Sequence, residues 1–169
     1  MNKTFTMILA LVAVVAIGWY FFWPSDEARV RETFSEVAAA LEKNGSEDNM
    51  ESIRKAKHAV MFVEPGCTFE LVRGEDSKVF TLSKVAADIT HQVVAYRMNV
   101  ANIHVAFEDL NVTFPDKATA EVACDFFYKG DDFGWSVRDA RALEATLRKD
   151  PESGRWRFMR VRVLNIIEK

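Results

Sequence analysis

The 169-residue chain is poor in the residues that build metal and redox sites, with two cysteines, three histidines and four prolines. Cys67 and Cys124 stand far apart, with no Cys-x-x-Cys and no histidine beside either. That excludes the usual metal-site spacings, and neither a metal nor a cofactor is expected. Two thiols pair only where the fold brings them together, which spacing alone does not show. Cys124 falls on the apolar phase of a strand pattern and reads as a buried free thiol. Repeats and low-complexity tracts are absent. A basic excess is absent too. With Lys3 set aside, 21 basic residues face 25 acidic ones, a net charge of about −4 on everything after residue 24. Such a balance exerts no long-range pull on nucleic acid or anionic lipid, so nucleic acid is not expected as a partner.

What is present begins with a charge-free run from Phe5 to Trp23. As a helix rising 1.5 Å per residue it would span about 28 Å, the thickness of a bilayer's hydrocarbon core. Lys3 and the amino terminus place positive charge before it. That keeps the N-terminus cytoplasmic and the remainder extracytoplasmic, or periplasmic if the cell is bacterial. At the far end Trp19, Tyr20 and Trp23 suit the headgroup boundary, and Pro24 ends the helix. Residues 1–24 are therefore expected to form a transmembrane signal-anchor, and residues 25–169 a single domain. The competing reading is a signal peptide cleaved at the small residues Ala16 and Gly18. It would leave Trp-Tyr-Phe-Phe-Trp as an exposed start.

After the anchor the pattern is helical. Ser25 can cap a helix with Asp26 and Glu27 in its first turn. Val30, Phe34, Val37, Ala38 and Leu41 make its apolar stripe, and Asn44-Gly45 ends it. Ser46 can cap a second helix with Met50, Ile53, Ala56, Val60 and Met61 inward. Pro65-Gly66 is expected to break the chain, Thr68–Val72 to form a short strand and Arg73–Lys78 a polar turn. A third helix runs from Leu82 to Met98. Beyond it the apolar period changes to two. Strands are expected at Ile103–Phe114, Lys117–Lys129, Val137–Leu147 and Arg155–Ile167. The apolar phase of the first switches between Phe107 and Leu110, which implies a bulge. Helices first and antiparallel strands afterwards make an α+β domain with three N-terminal helices packed on one sheet face.

This element order resembles the nuclear-transport-factor-2-like (SnoaL-like) fold. Gly154-Arg155-Trp156-Arg157-Phe158 is similar to that family's Gly-x-Trp entry into the last strand. The resemblance implies a curved antiparallel sheet around the helices, a cone-shaped, cystatin-like roll with an internal cavity. Family members include dehydratases, isomerases, cyclases, ligand binders and interaction modules, so the fold alone selects no function. Isomerase-like members carry a tyrosine on the first helix, and Asp26–Lys43 has none. Cyclase-like members carry a histidine on the C-terminal strands, and none follows His104. Both absences weigh against an enzyme.

Two candidate sites remain. Ala120, Val122, Cys124, Phe126 and Tyr128 share one strand face and, with Tyr96 of the third helix, would line a pocket for a small apolar ligand. Asp139 and Arg141 are the catalytic candidates, in phase with Val137, Leu143 and Ala145, and would bring an acid and a base into that pocket. The bland alternatives are a bulge that turns them outward, or a simple pair. On the last strand, Met159, Val161 and Val163 should face the helices. Trp156, Phe158, Arg160 and Arg162, with Phe127 beside them, would then form an outer face. Aromatics interleaved with arginine suit a homodimer or a protein partner. Cross-strand ion pairs to Glu121, Asp125 or Glu144 are the competing reading of the arginines. The expected function is thus a membrane-anchored binding or assembly module acting through the outer sheet face. The alternative is binding of a small apolar ligand, or an isomerase- or dehydratase-type enzyme, using the cavity.

Overall fold

The computed structural model describes residues 24–73, 76–81, 86–132 and 135–166. The expected anchor, with Trp19, Tyr20 and Trp23, and the competing cleavage site lie outside the described residues. Among the described residues no helix is long and apolar enough to cross a membrane.

Helix α1 (Asp26–Leu41) opens as its sequence dictates. Ser25 Oγ accepts the Ala28 N–H at 3.1 Å, with Asp26 and Glu27 in the first turn. Val30 and Phe34 are fully buried on its inner face. The helix stops where Glu42 turns extended, and its last carbonyls are capped from a distance. The Arg97 guanidinium donates to the carbonyls of Ala40, Leu41 and Glu42 at 3.1, 2.8 and 3.0 Å. Helix α2 (Asn49–Val60) is capped by Asp48, which accepts the Glu51 N–H at 2.7 Å, and not by Ser46. The buried stripe also differs from the expected one. Ser52, Ala56, Ala59 and Val60 turn inward, while Met50 and Met61 are 74% and 51% exposed.

Strands β1 (Val63–Arg73) and β2 (Asp76–Thr81) form an antiparallel hairpin where a short strand and a polar turn were expected. Pro65 and Gly66 do not break the chain. They sit inside β1, where Gly66 has a left-handed φ of 92° and the register with its neighbour shifts. Helix α3 (Ala86–Asn99) follows, then β3 (Val100–Thr113), β4 (Thr119–Asp132), β5 (Trp135–Lys149) and β6 (Trp156–Ile166). The six strands make one sheet in the order β2-β1-β6-β5-β4-β3. All neighbours are antiparallel except β1 and β6, which run parallel, so the sheet is not wholly antiparallel.

Two bulges set which residues meet the helices. In β3 the register slips between Glu108 and Asn111, and Asp109 takes φ 52°, where the phase of the sequence switches. In β6 the partner of Thr146 is Arg160 but that of Leu147 is Phe158, leaving Met159 as the extra residue. The face therefore flips at Met159. Trp156, Phe158 and Val161 all turn into the core, at 1, 6 and 7% exposure. The expectation that Trp156 and Phe158 share an outer face with the arginines is corrected by this one residue.

Candidate functional site

Between the three helices and the inner sheet face lies a cavity of about 400 Å³. Phe34, Val37 and Leu41 of α1 and Ala59 and Val60 of α2 form its helical wall, with Val93 of α3. Phe107, Phe126, Leu143, Phe158, Val161 and Val163 come from the sheet. Among the described lining residues Gln92 alone is polar. In its wall Phe34 meets Phe107 and Phe158 edge-on, each with ring centroids 5.1 Å apart. The cavity is partly open to solvent, and walls lined this way offer a water molecule almost no hydrogen-bond partners, so it suits an apolar occupant.

The pocket residues expected from sequence divide. Phe126 lines the cavity, whereas Ala120, Val122 and Cys124 are buried deeper in the core beneath it. Tyr96, 44% exposed, and Tyr128 join their hydroxyls in a hydrogen bond instead. A Cβ on Gly130 would run into the Tyr128 hydroxyl, so glycine there keeps room for that ring. Burial pushes both thiols, Cys67 and Cys124, up to about 12. Both are free, and at neutral pH they are protonated and unreactive.

The β4–β5 register runs without a break from Thr119/Arg148 to Asp132/Trp135, with Arg141 opposite Phe126 and Asp139 opposite Tyr128. No bulge in this pair turns Arg141 away from the face that carries Phe126 and Leu143, and Arg141 is half-buried. The side chain of Asp139 lies outside the described residues. His58, His91 and His104 are exposed and none lines the cavity, and His104 is spent in a 2.9 Å contact with Glu42. Asp131 accepts a hydrogen bond from Asn102 at 2.8 Å. No cluster of potential metal ligands occurs among the described residues.

On the opposite face Arg160 and Arg162 converge on Glu70 of β1, at 2.8 and 3.1 Å, and Arg162 also reaches Glu144 at 2.7 Å. Of the acidic partners expected from sequence, Glu144 is engaged and Glu70 is new. Phe127 is half-buried on β4, opposite Ala140 of β5.

These features together fix the architecture. The fold is nuclear-transport-factor-2-like. A Novosphingobium aromaticivorans protein with that description and a cystatin-like fold matches over 94% of this chain and 88% of its own, at 15% identity and a TM-score of 0.56. A protein from the same organism assigned as a scytalone dehydratase matches over 85% of each chain, at 8% identity and a TM-score of 0.62. A Xanthomonas campestris protein assigned as a calcium/calmodulin-dependent protein kinase II association domain matches over 86% of this chain and 91% of its own, at 13% identity and a TM-score of 0.59. At such identities the likeness is one of fold. No protein-family model matches the sequence, and no curated protein does.

Sequence reasoning missed the buried charge cluster that holds the nuclear-transport-factor-2-like helices together. Arg97, 1% exposed, pairs with Glu47, which also receives Ser52 Oγ at 2.6 Å and Lys55 Nζ at 2.9 Å. Burial alone would raise the Glu47 carboxyl, but the hydrogen bonds from Ser52, Arg97 and Lys55 outweigh it and hold it down to about 2. An arginine among the apolar residues Val93, Val94 and Val100 was the available signal.

Proposed function

We propose that the domain is a binding module whose cavity takes up a small apolar molecule, and that the run Phe5–Trp23 anchors it at the extracytoplasmic side of a membrane. The carrying observation is the cavity of about 400 Å³ with Gln92 as the one polar side chain among its described lining. An amide neither accepts nor gives a proton at neutral pH, so this lining favours holding a molecule over acid–base turnover. Asp139 and Arg141 remain the pair to replace first if turnover is found. The test is a native mass spectrum of the full-length chain, gently extracted from its own membrane. An additional small-molecule mass is expected on the wild type and should be lost or reduced in Val163→Phe, whose larger side chain intrudes on the cavity. A bare chain in both would refute the reading.

A second reading is self-association through the outer sheet face. The half-exposed ladder of Glu70, Arg160, Arg162 and Glu144 favours it, as does the name of the association-domain neighbour. Burial of Trp156 and Phe158 takes away its aromatic anchors. Arg160→Glu with Arg162→Glu should halve the particle mass if the face joins two copies. An unchanged mass rejects it.

A further inference from the structure

Burial along the wall of the internal cavity is graded. Phe34, Leu143, Phe158 and Val161, from α1, β5 and β6, are at most 7% exposed and make its floor. Beside α3 the lining comes up to solvent, with Val93 half-buried and Gln92 exposed. The one polar side chain of the described lining therefore stands at the rim, and its amide has no hydrogen-bond partner among the described residues. No charged side chain belongs to that lining. Arg97, one turn beyond Val93 on the same side of α3, would be the natural partner of an acid. Its guanidinium is instead taken up by the carbonyls of Ala40, Leu41 and Glu42 and by the Glu47 carboxylate. Arg141, in register with Phe126, is not part of the lining and is itself engaged.

We propose that the cavity's ligand is an uncharged, single-headed molecule, a hydrocarbon body carrying one hydroxyl or carbonyl oxygen, which enters body first and leaves its head at Gln92. This rests on the reading of the cavity as a ligand site and adds the ligand's class and direction. The body goes to the floor because apolar area removed from water there is favourable in proportion to its size. A polar group in the same place would be buried without a partner. At the rim the Gln92 amide can accept from a hydroxyl or donate to a carbonyl, so it answers either neutral head. A carboxylate or an ammonium finds no opposite charge in the described lining and loses part of its hydration against an apolar wall. The net acidic domain adds nothing for an anion. Size follows from the volume: at roughly 30 Å³ for each water-sized group, 400 Å³ takes about a dozen non-hydrogen atoms. Gln92 is thus the residue that sets which head is accepted.

The test is equilibrium dialysis of four radiolabelled probes of equal chain length against the full-length chain in nanodiscs, with empty nanodiscs as the background. The probes are 1-decanol, decanoate, decylamine and decane. 1-Decanol should bind the wild type at least fivefold more tightly than decanoate or decylamine. Gln92→Leu, at an exposed position, should weaken 1-decanol about fivefold, the effect of one lost hydrogen bond, and leave both decane binding and thermal unfolding unchanged. Gln92→Arg should carry the preference over to decanoate. A smaller preference for 1-decanol in the wild type overturns the proposal. So does a 1-decanol affinity that Gln92→Leu leaves alone, or a loss that decane shares equally. In each of those cases decane bound above background, and weakened by Val163→Phe, keeps the cavity as a ligand site of another class. No probe bound above background refutes the cavity reading itself, and this assignment with it.

Discussion

The two faces of the sheet are made by the same strands and obey opposite rules. On the inner face Phe126, Leu143, Phe158, Val161 and Val163 pack in a mainly apolar cluster and still leave a cavity. On the outer face Glu70, Arg160, Arg162 and Glu144 hold one another in water. Inside, stability scales with the apolar surface removed from solvent, at about 25 cal/mol per Å². Outside, each pair is screened and contributes little. The proposed function uses the inner face for the same reason: a space lined by apolar rings can be filled by something other than protein.

The largest expected effect is on the inner side. Phe34→Ala removes a ring fully buried between Phe107 and Phe158 and should cost about 3–5 kcal/mol, read as a shift in the chemical denaturation midpoint. Nearly as large is Arg97→Met, which strips the cap from α1 and leaves the Glu47 carboxylate buried without its main partner. About 3 kcal/mol is expected, and a stability equal to wild type would show the cluster to be dispensable.

Acid sharpens the same contrast. The Glu47 carboxyl titrates near 2 in the folded chain against an ordinary value of 4.5. Its contribution is therefore complete above about pH 4.5 and is lost progressively as pH falls towards 2. Thermal unfolding followed from pH 6 to pH 2.5 should show a decline that Glu47→Gln flattens. An identical slope in both proteins would assign the acid sensitivity elsewhere.

The smallest effect belongs to the outer face. Arg162→Ala breaks two ion pairs on a partly exposed side chain and should cost less than about 1 kcal/mol, falling further at high salt. A loss as large as that of Phe34→Ala would erase the distinction between the faces.

The fold was legible where residue type and period agreed. Ser25 announced the start of α1, the change of period after α3 announced the sheet, and the phase switch near Asp109 announced a bulge that the register bears out. Legibility failed where one residue changes the phase without changing the composition. Met159 is an ordinary strand residue, yet its insertion in β6 sends Trp156 and Phe158 to the face opposite the one that strict alternation assigns. The start of α2 was missed by two residues because Ser46 and Asp48 are both good caps, and only the Glu47 contacts to Arg97 and Lys55 decide between them. Part of the cavity was visible as the apolar face of β4. The share contributed by α1, α2 and β6 was not, since it depends on long-range packing that no local pattern records.

The most direct measurement is a crystal structure of the protein under xenon pressure. Xenon, or a co-purified apolar molecule in its place, should appear among Phe34, Phe126 and Val161 with the surrounding side chains unmoved. A space closed by inward rotation of those side chains, with nothing bound, would contradict a ligand-holding cavity.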